Sequence, residues 1–315
     1  MAREQLGICT EANLHSDYLL FNAVEGSESI LRYKLARLPQ VIDRLAGHFS
    51  EALLTSVVAV GSNYWATLYP DAMPLGLAPF PDTQAEDIDL APVPIDIFIQ
   101  LRSDRRDVNF IACQQVKQLL GGYAELQEHI QGFRYLDGRS LTGFIDMPAN
   151  PRGKAKRDAA LINHTHQPVF AAGSYLYLQC VNLLLNTWQL LSLTEQEDIM
   201  GMDKVSGQPV AADRQLADSH FALLQSATGV SQNILLQHMP FTRGSVHGEM
   251  QLTYSADPDV LLQQLLRRFG LMADNASYDQ LLNYSTIEFS AAFFVPSISF
   301  LELAVKRVSS QLPFE

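Results

Sequence analysis

A small set of side chains in this 315-residue sequence could do acid–base or metal-ligand chemistry. His220 ends the run Asp218-Ser219-His220. An imidazole is neutral near pH 7, ligates iron through one nitrogen and donates the proton of the other. On its own, His220 reads as a core or surface histidine rather than a ligand. Asp146, in the loop Gly143-Phe144-Ile145-Asp146, offers a carboxylate that can pass a proton to any substrate atom or water within hydrogen-bond reach. Its ordinary role would be to cap a turn. His164 and His166 flank Thr165 in a polar loop without a third ligand, which reads as exposed loop rather than metal site. Cys9, Cys113 and Cys180 are odd in number and far apart, so they suggest neither a disulfide framework nor zinc. Gly121-Gly122 and Gly244-Ser245 are turn signals, and Lys154, Lys156 and Arg157 form a short solvated basic run.

The elements that must position these groups follow from periodicity. Tyr18 to Val24, Leu53 to Gly61 and Ile95 to Arg102 are β-rich, the last alternating Ile95, Ile97, Ile99 and Leu101 with Asp96, Phe98, Gln100 and Arg102. Helical patterns occupy Ser29 to Phe49, broken or restarted at Pro39, and Asp104 to Leu120. The pattern recurs with strands at Ser174 to Val181, Asn233 to Gln237, Met250 to Ser255 and Tyr284 to Phe294, and helices at Asn182 to Leu191, Thr194 to Met200 and Pro258 to Phe269. Two tandem βαββαβ-like units predict an α+β chain of duplicated ferredoxin-like halves with antiparallel sheets, about 1–136 and 172–315. A long loop, 137–171, joins them and carries Asp146. Loops of that length in a domain are commonly lids or ligand-binding walls.

Lys plus Arg number 22 against 34 Asp plus Glu, a net charge of −12 that argues against a nucleic-acid surface. No apolar run approaches the roughly 18 residues needed to cross a bilayer. The N-terminal Met1-Ala2-Arg3-Glu4-Gln5 has no secretory pattern, which makes the cytoplasm the expected compartment.

Leu141 to Pro151 resembles the Gly-x-x-Asp-Gly loop of dye-decolourising haem peroxidases, which is commonly followed by Asn-Pro, here Asn150-Pro151. Gln5 to Cys9, Gly61 to Trp65, Asp96 to Asp107, Phe170 to Tyr175, Asp218 to His220, Met239-Pro240-Phe241, Tyr278 to Leu282 and Phe293 to Ser297 resemble further segments of that family in the same order. The resemblance implies a b-type haem between the two halves, hydrogen peroxide and a small organic reductant as substrates, and a homodimer or larger assembly. It assigns His220 as the iron ligand, Asp146 as the distal acid–base group, and Gly143 to the loop that faces the haem.

Departures from the family pattern cluster on the same site. Where relatives read Ile-Leu-Arg-x-Asn-Met-Pro-Phe, this chain reads Ile234-Leu235-Leu236-Gln237-His238-Met239-Pro240-Phe241. Leu236 therefore replaces an arginine whose fixed charge and fork of donors would face the peroxide, a loss of roughly 10²- to 10³-fold by analogy with other preorganised donors. His238, two residues along a strand and about 7 Å further on, faces the same side and is either a candidate substitute or, equally, a histidine filling the usual asparagine position without catalytic duty. Asn283 stands where many relatives carry an acid near the proximal histidine. Met147 replaces the second glycine of the loop, implying a backbone that avoids the left-handed region or a side chain that fills part of the pocket. Met202 replaces a frequent arginine. Two functions follow: a peroxidase of weak or specialised activity, or a non-catalytic relative acting in haem carriage, sensing or partnership, haem-free in the extreme case.

Overall fold

In the computed structural model, which describes residues 2–82, 84–85, 88–224, 233–272 and 277–309, alternating side chains along each strand divide between a barrel interior and a covering layer. The first half runs β1 (His15–Ala23), α1 (Glu28–His48), β2 (Thr55–Gly61), α2 (Ser62–Leu68), β3 (Ile97–Ser103), α3 (Arg106–Leu120) and β4 (Ala124–Phe133). The second runs α4 (Lys154–Ala160), β5 (Ser174–Leu183), α5 (Leu193–Met200), α6 (His220–Leu224), β6 (Leu235–Arg243), β7 (Val246–Ser255), α7 (Pro258–Arg268), β8 (Ser285–Val295) and α8 (Ile298–Ser309). The expected α+β class with antiparallel pairing is present, but the two halves merge into one closed barrel in the order β1-β3-β2-β8-β5-β7-β6-β4. Each half contributes four adjacent strands ordered fourth, first, third, second.

Tyr18, Leu20, Phe98, Leu178, Leu252 and Phe293 fill the interior. Leu19, Val58 and Ile99 point the other way, beneath Leu35, Leu38 and Val116 of α1 and α3. Trp65 packs its ring 5.1 Å from Phe294 and 5.5 Å from Phe300. A separate cluster of Phe144, Trp188, Met200, Met202, Phe221 and Leu281 lies outside the barrel against the second half.

The barrel has two seams where the halves meet. Between β2 and β8 only Phe293 with Gly61 and Phe294 with Val60 are in register, and between β4 and β6 only Gly132 with Phe241. Side-chain amides take over the missing ladder, because buried backbone groups must find partners. Gln5 brackets Val58, its Nε2 donating to the carbonyl at 2.7 Å and its Oε1 accepting from the N–H at 2.7 Å. Asn150 does the same to Leu236, at 2.7 and 3.0 Å.

Several boundaries differ from the sequence expectation. Helix α1 continues through Pro39, whose neighbours Leu35, Leu38 and Ile42 are buried on one face. Strand β4 is the fourth strand that the βαββαβ unit requires, but its bounds go unmarked in the sequence because most of its residues are polar, leaving Ala124 and Ile130 as its buried apolar positions. The helix expected from Asn182 to Leu191 is strand as far as Leu183, paired with Ser285, followed by one turn at Leu185–Trp188. The 137–171 segment contains α4. No described helix is long and apolar enough to cross a membrane.

Candidate active site

His220 opens α6 directly after Ser219, whose hydroxyl donates to the Leu216 carbonyl at 2.8 Å and fixes the entry of the helix. Its Nδ1–H donates to Asp279 Oδ2 at 2.7 Å, and Arg268 Nε donates to that same oxygen at 2.9 Å. Asp279 Oδ1 accepts the Leu281 N–H at 3.0 Å, capping the 3-10 turn Gln280–Tyr284. Asp279 is wholly buried. Burial opposes its charge, yet the pull and hydrogen bond of His220, with those of Arg268, hold the carboxyl down at about 2. With Nδ1 committed, Nε2 is the ring nitrogen left for an external ligand.

This geometry corrects the reading of Asn283. That residue is exposed and accepts the Tyr278 hydroxyl at 2.9 Å, and it makes no contact with His220. The acid that orients the histidine is Asp279, four positions earlier. Sequence reading quoted Asp279 within a matching segment without giving it a role.

Asp146 lies on the 137–153 loop, its backbone N–H held by the Gly138 carbonyl at 3.0 Å. His238 Nδ1 sits 3.3 Å from Asp146 Oδ1. On β6, Leu236 and His238 both face outward from the barrel, as the two-residue spacing requires, and Leu236 is nearly buried beside them. The neighbouring strand β7 adds Glu249 and Gln251, with Gln251 directly opposite His238 in register. Glu249 Oε1 is buried without a hydrogen-bond partner, while Gln251 Nε2 reaches Oε2 at 3.5 Å. Burial, and next the nearby charge of Asp146, push the Glu249 carboxyl up. Gln251 also accepts from Arg268 Nη1 at 3.0 Å, so polar contacts run from the Glu249 side of the site to Asp279. Sequence reasoning missed Glu249. The available signal was the polar alternation of Glu249, Gln251 and Thr253 against Met250, Leu252 and Tyr254.

These residues border one cleft enclosing about 730 Å³ of empty space with its mouth, walled by Phe144, Met200, Met202, Phe221, Leu224 and Leu281. A smaller cleft of about 430 Å³ meets His220, Leu236 and His238 against α7. Gly143 is not part of the wall. At φ +91° it makes a turn in the left-handed region, where a side chain would be strained. Arg139 Nη1 ties that turn down through the Gly143 and Lys204 carbonyls at 2.8 and 2.7 Å. Met147 does occupy the cleft wall, but its backbone adopts the left-handed region at φ +50°, so the loop keeps its glycine-like shape. His164 is exposed, as is His166.

A family model for the C-terminal part of Dyp-type peroxidases matches residues 137–300, and one for the N-terminal part matches 5–134. A dye-decolorizing peroxidase of Rhodococcus erythropolis is 31% identical over 290 residues, covering 90% of this chain and 84% of that protein. A crystal structure assigned to the Dyp-type peroxidases of Shewanella oneidensis superposes with a TM-score of 0.92 at 34% identity, covering 96% and 99% of the two chains. A variant of Rhodococcus jostii RHA1 DypB in complex with heme superposes at 0.86 with 30% identity, again covering 96% and 99%. With both halves matched in order, this chain belongs to the Dyp-type peroxidase family.

Proposed function

We propose that this protein is a haem-dependent peroxidase that reduces hydrogen peroxide at the expense of a small organic reductant, working with an altered distal site. The observation that carries this reading is that His220, oriented from behind by Asp279, and the Asp146–His238 pair border the same apolar-walled cleft. The donor set fits haem: Nδ1 of His220 is occupied, Nε2 is left to ligate iron, and apolar walls from Phe221, Leu224, Leu281 and the methionines suit a macrocycle. Bound there, haem would supply the redox centre for peroxide reduction and for one-electron oxidation of the organic partner.

The chain's own residues would then do the following. Asp279, kept anionic between His220 and Arg268, accepts the hydrogen bond of the His220 Nδ1–H and strengthens the imidazole as a donor. Asp146 takes a proton from hydrogen peroxide and returns it to the departing oxygen. His238 steadies the Asp146 carboxylate and supplies the hydrogen bond that an arginine would give. Leu236 contributes neither charge nor donor, which favours weak or specialised turnover. The two four-strand runs support reading the barrel as duplicated ferredoxin-like units, 1–136 and 172–315.

A second reading, a haem-binding relative without turnover, is favoured by Leu236 alone. The visible spectrum of the purified chain before and after stoichiometric haem, beside His220→Ala, tests the cofactor, and peroxide-driven dye bleaching separates the readings. A Soret band lost in His220→Ala is expected. Its absence in both samples overturns the haem reading, and a band without bleaching leaves the carrier or sensor function.

A further inference from the structure

A second cleft lies on the barrel side of the 146–152 loop. It encloses about 1120 Å³ with its mouth and shares Asp146, Met147, Leu236 and His238 with the first. Its distinctive residue is Arg102 on β3. By strand alternation Arg102 follows Phe98 and Gln100 into the barrel, where its side chain is 4% exposed. A buried guanidinium is normally paired with a carboxylate. None of the ion pairs among the described residues involves this one. The carboxylate whose charge reaches it is Glu11, which is exposed and already bonded by Lys156 Nζ at 2.7 Å.

Arg102 is also poorly satisfied by neutral groups. Nη2 donates to the carbonyls of Gly7, Thr10 and Glu11 only at 3.3 to 3.4 Å, and Nε is buried without a partner. Beside it, Gln100 Nε2 donates to Gln237 Oε1 at 3.3 Å, and Tyr18 and Met239 provide apolar surface. Arg152 and Lys156 stand at the same cleft, a local excess of cations in a chain of net charge −12.

We propose that this cleft is a binding site for a small organic anion, an aromatic carboxylate in chemical class, with its carboxylate on the Arg102 guanidinium and its ring against Tyr18 and Met239. A guanidinium presents a planar fork that matches carboxylate geometry, and a buried one gains most from a counter-ion it otherwise lacks. Arg152 and Lys156 draw the anion to the mouth. The contacts to Arg102, Tyr18 and Met239 do not involve His220.

Isothermal titration of the full chain with benzoate, with benzyl alcohol as its uncharged counterpart and sulfate as an inorganic anion, tests the assignment. Saturable benzoate binding is expected, weakened roughly tenfold or more in Arg102→Gln and unchanged in His220→Ala. Benzyl alcohol or sulfate binding as tightly as benzoate would overturn the proposed class. So would no saturation by about 10 mM benzoate, or an unchanged affinity in Arg102→Gln. Should Arg102→Gln fail to fold, the surface double variant Arg152→Ala/Lys156→Ala decides: affinity lowered several-fold supports the site, and unchanged affinity overturns it.

Discussion

Asp279 receives the His220 Nδ1 proton at 2.7 Å while bound on the same oxygen by Arg268, so the orienting carboxylate of the histidine is itself clamped as an anion. Its carboxyl is held at about 2, below the ordinary carboxylate value. A depressed folded-state value contributes stability that is present above the unfolded-state value near 4 and is lost as pH falls toward 2. The size is on the order of 2 kcal/mol. Urea melts of the wild type from pH 6 to pH 2.5 should lose that increment over the lower part of the range. Asp279→Asn should be destabilised at pH 6 by roughly 3–5 kcal/mol, because Arg268 is left buried without its partner, and should lack the acid-dependent loss. A variant with the same acid profile as wild type would contradict the clamp.

How far the sequence disclosed this site depends on the residue. His220, Asp146 and His238 stand out only through the resemblance of the ordered segments around them, since by residue type alone each has an ordinary reading. Leu236 and His238 share a face because strand alternation dictates it, and the structure places both on the cleft. Asp279 was hidden: a buried aspartate beside a 3-10 turn looks like any turn cap until Arg268, on another element, is brought to it. Strand β4 was hidden for the opposite reason, since its exposed Glu125 and Gln127 mask the pattern of a barrel member. The closure of both halves into one barrel depends on two seams repaired by Gln5 and Asn150, and side-chain bridges of that kind leave no periodic signal.

Glu249 titrates in the opposite sense to Asp279. Burial and the neighbouring Asp146 charge raise its carboxyl, so stability is complete below the unfolded-state value and declines as pH rises through the folded one. Glu249→Gln keeps the shape and removes the charge. Its melting temperature should match wild type near pH 4 and exceed it at pH 7. A lower melting temperature at pH 7 would mean that the charged form is the one the site favours.

Leu236→Arg restores a cation on the outward face of β6, next to Asp146 and His238. Because Asn150 holds only the backbone of residue 236, the new side chain can enter the cleft without breaking that bridge. Peroxide-driven bleaching by the haem-loaded variant should rise roughly 10²- to 10³-fold. A second variant, His238→Ala, should lower the residual wild-type rate. If Leu236→Arg leaves the rate unchanged, a missing cation is not what limits turnover.

Asn150 carries the attachment of the site loop to the barrel. Its amide donates to the Leu236 carbonyl at 2.7 Å and accepts the Leu236 N–H at 3.0 Å, where β6 has no strand partner on that side. Asn150→Ala removes both bonds and leaves two backbone groups in need of water, at a cost of roughly 1–3 kcal/mol. The effect should be local as well as global. Amide exchange should accelerate at Leu236 and across 146–150, while β2 and β3 on the far side of the barrel keep their protection. Asn150→Asp separates the two bonds: it retains an acceptor for the Leu236 N–H but presents a second acceptor to the carbonyl, so it should restore less than half of the lost stability. Exchange rates in Asn150→Ala equal to wild type across that segment would show that the loop is held by its apolar packing alone, with Met147 and Phe144 as the anchors.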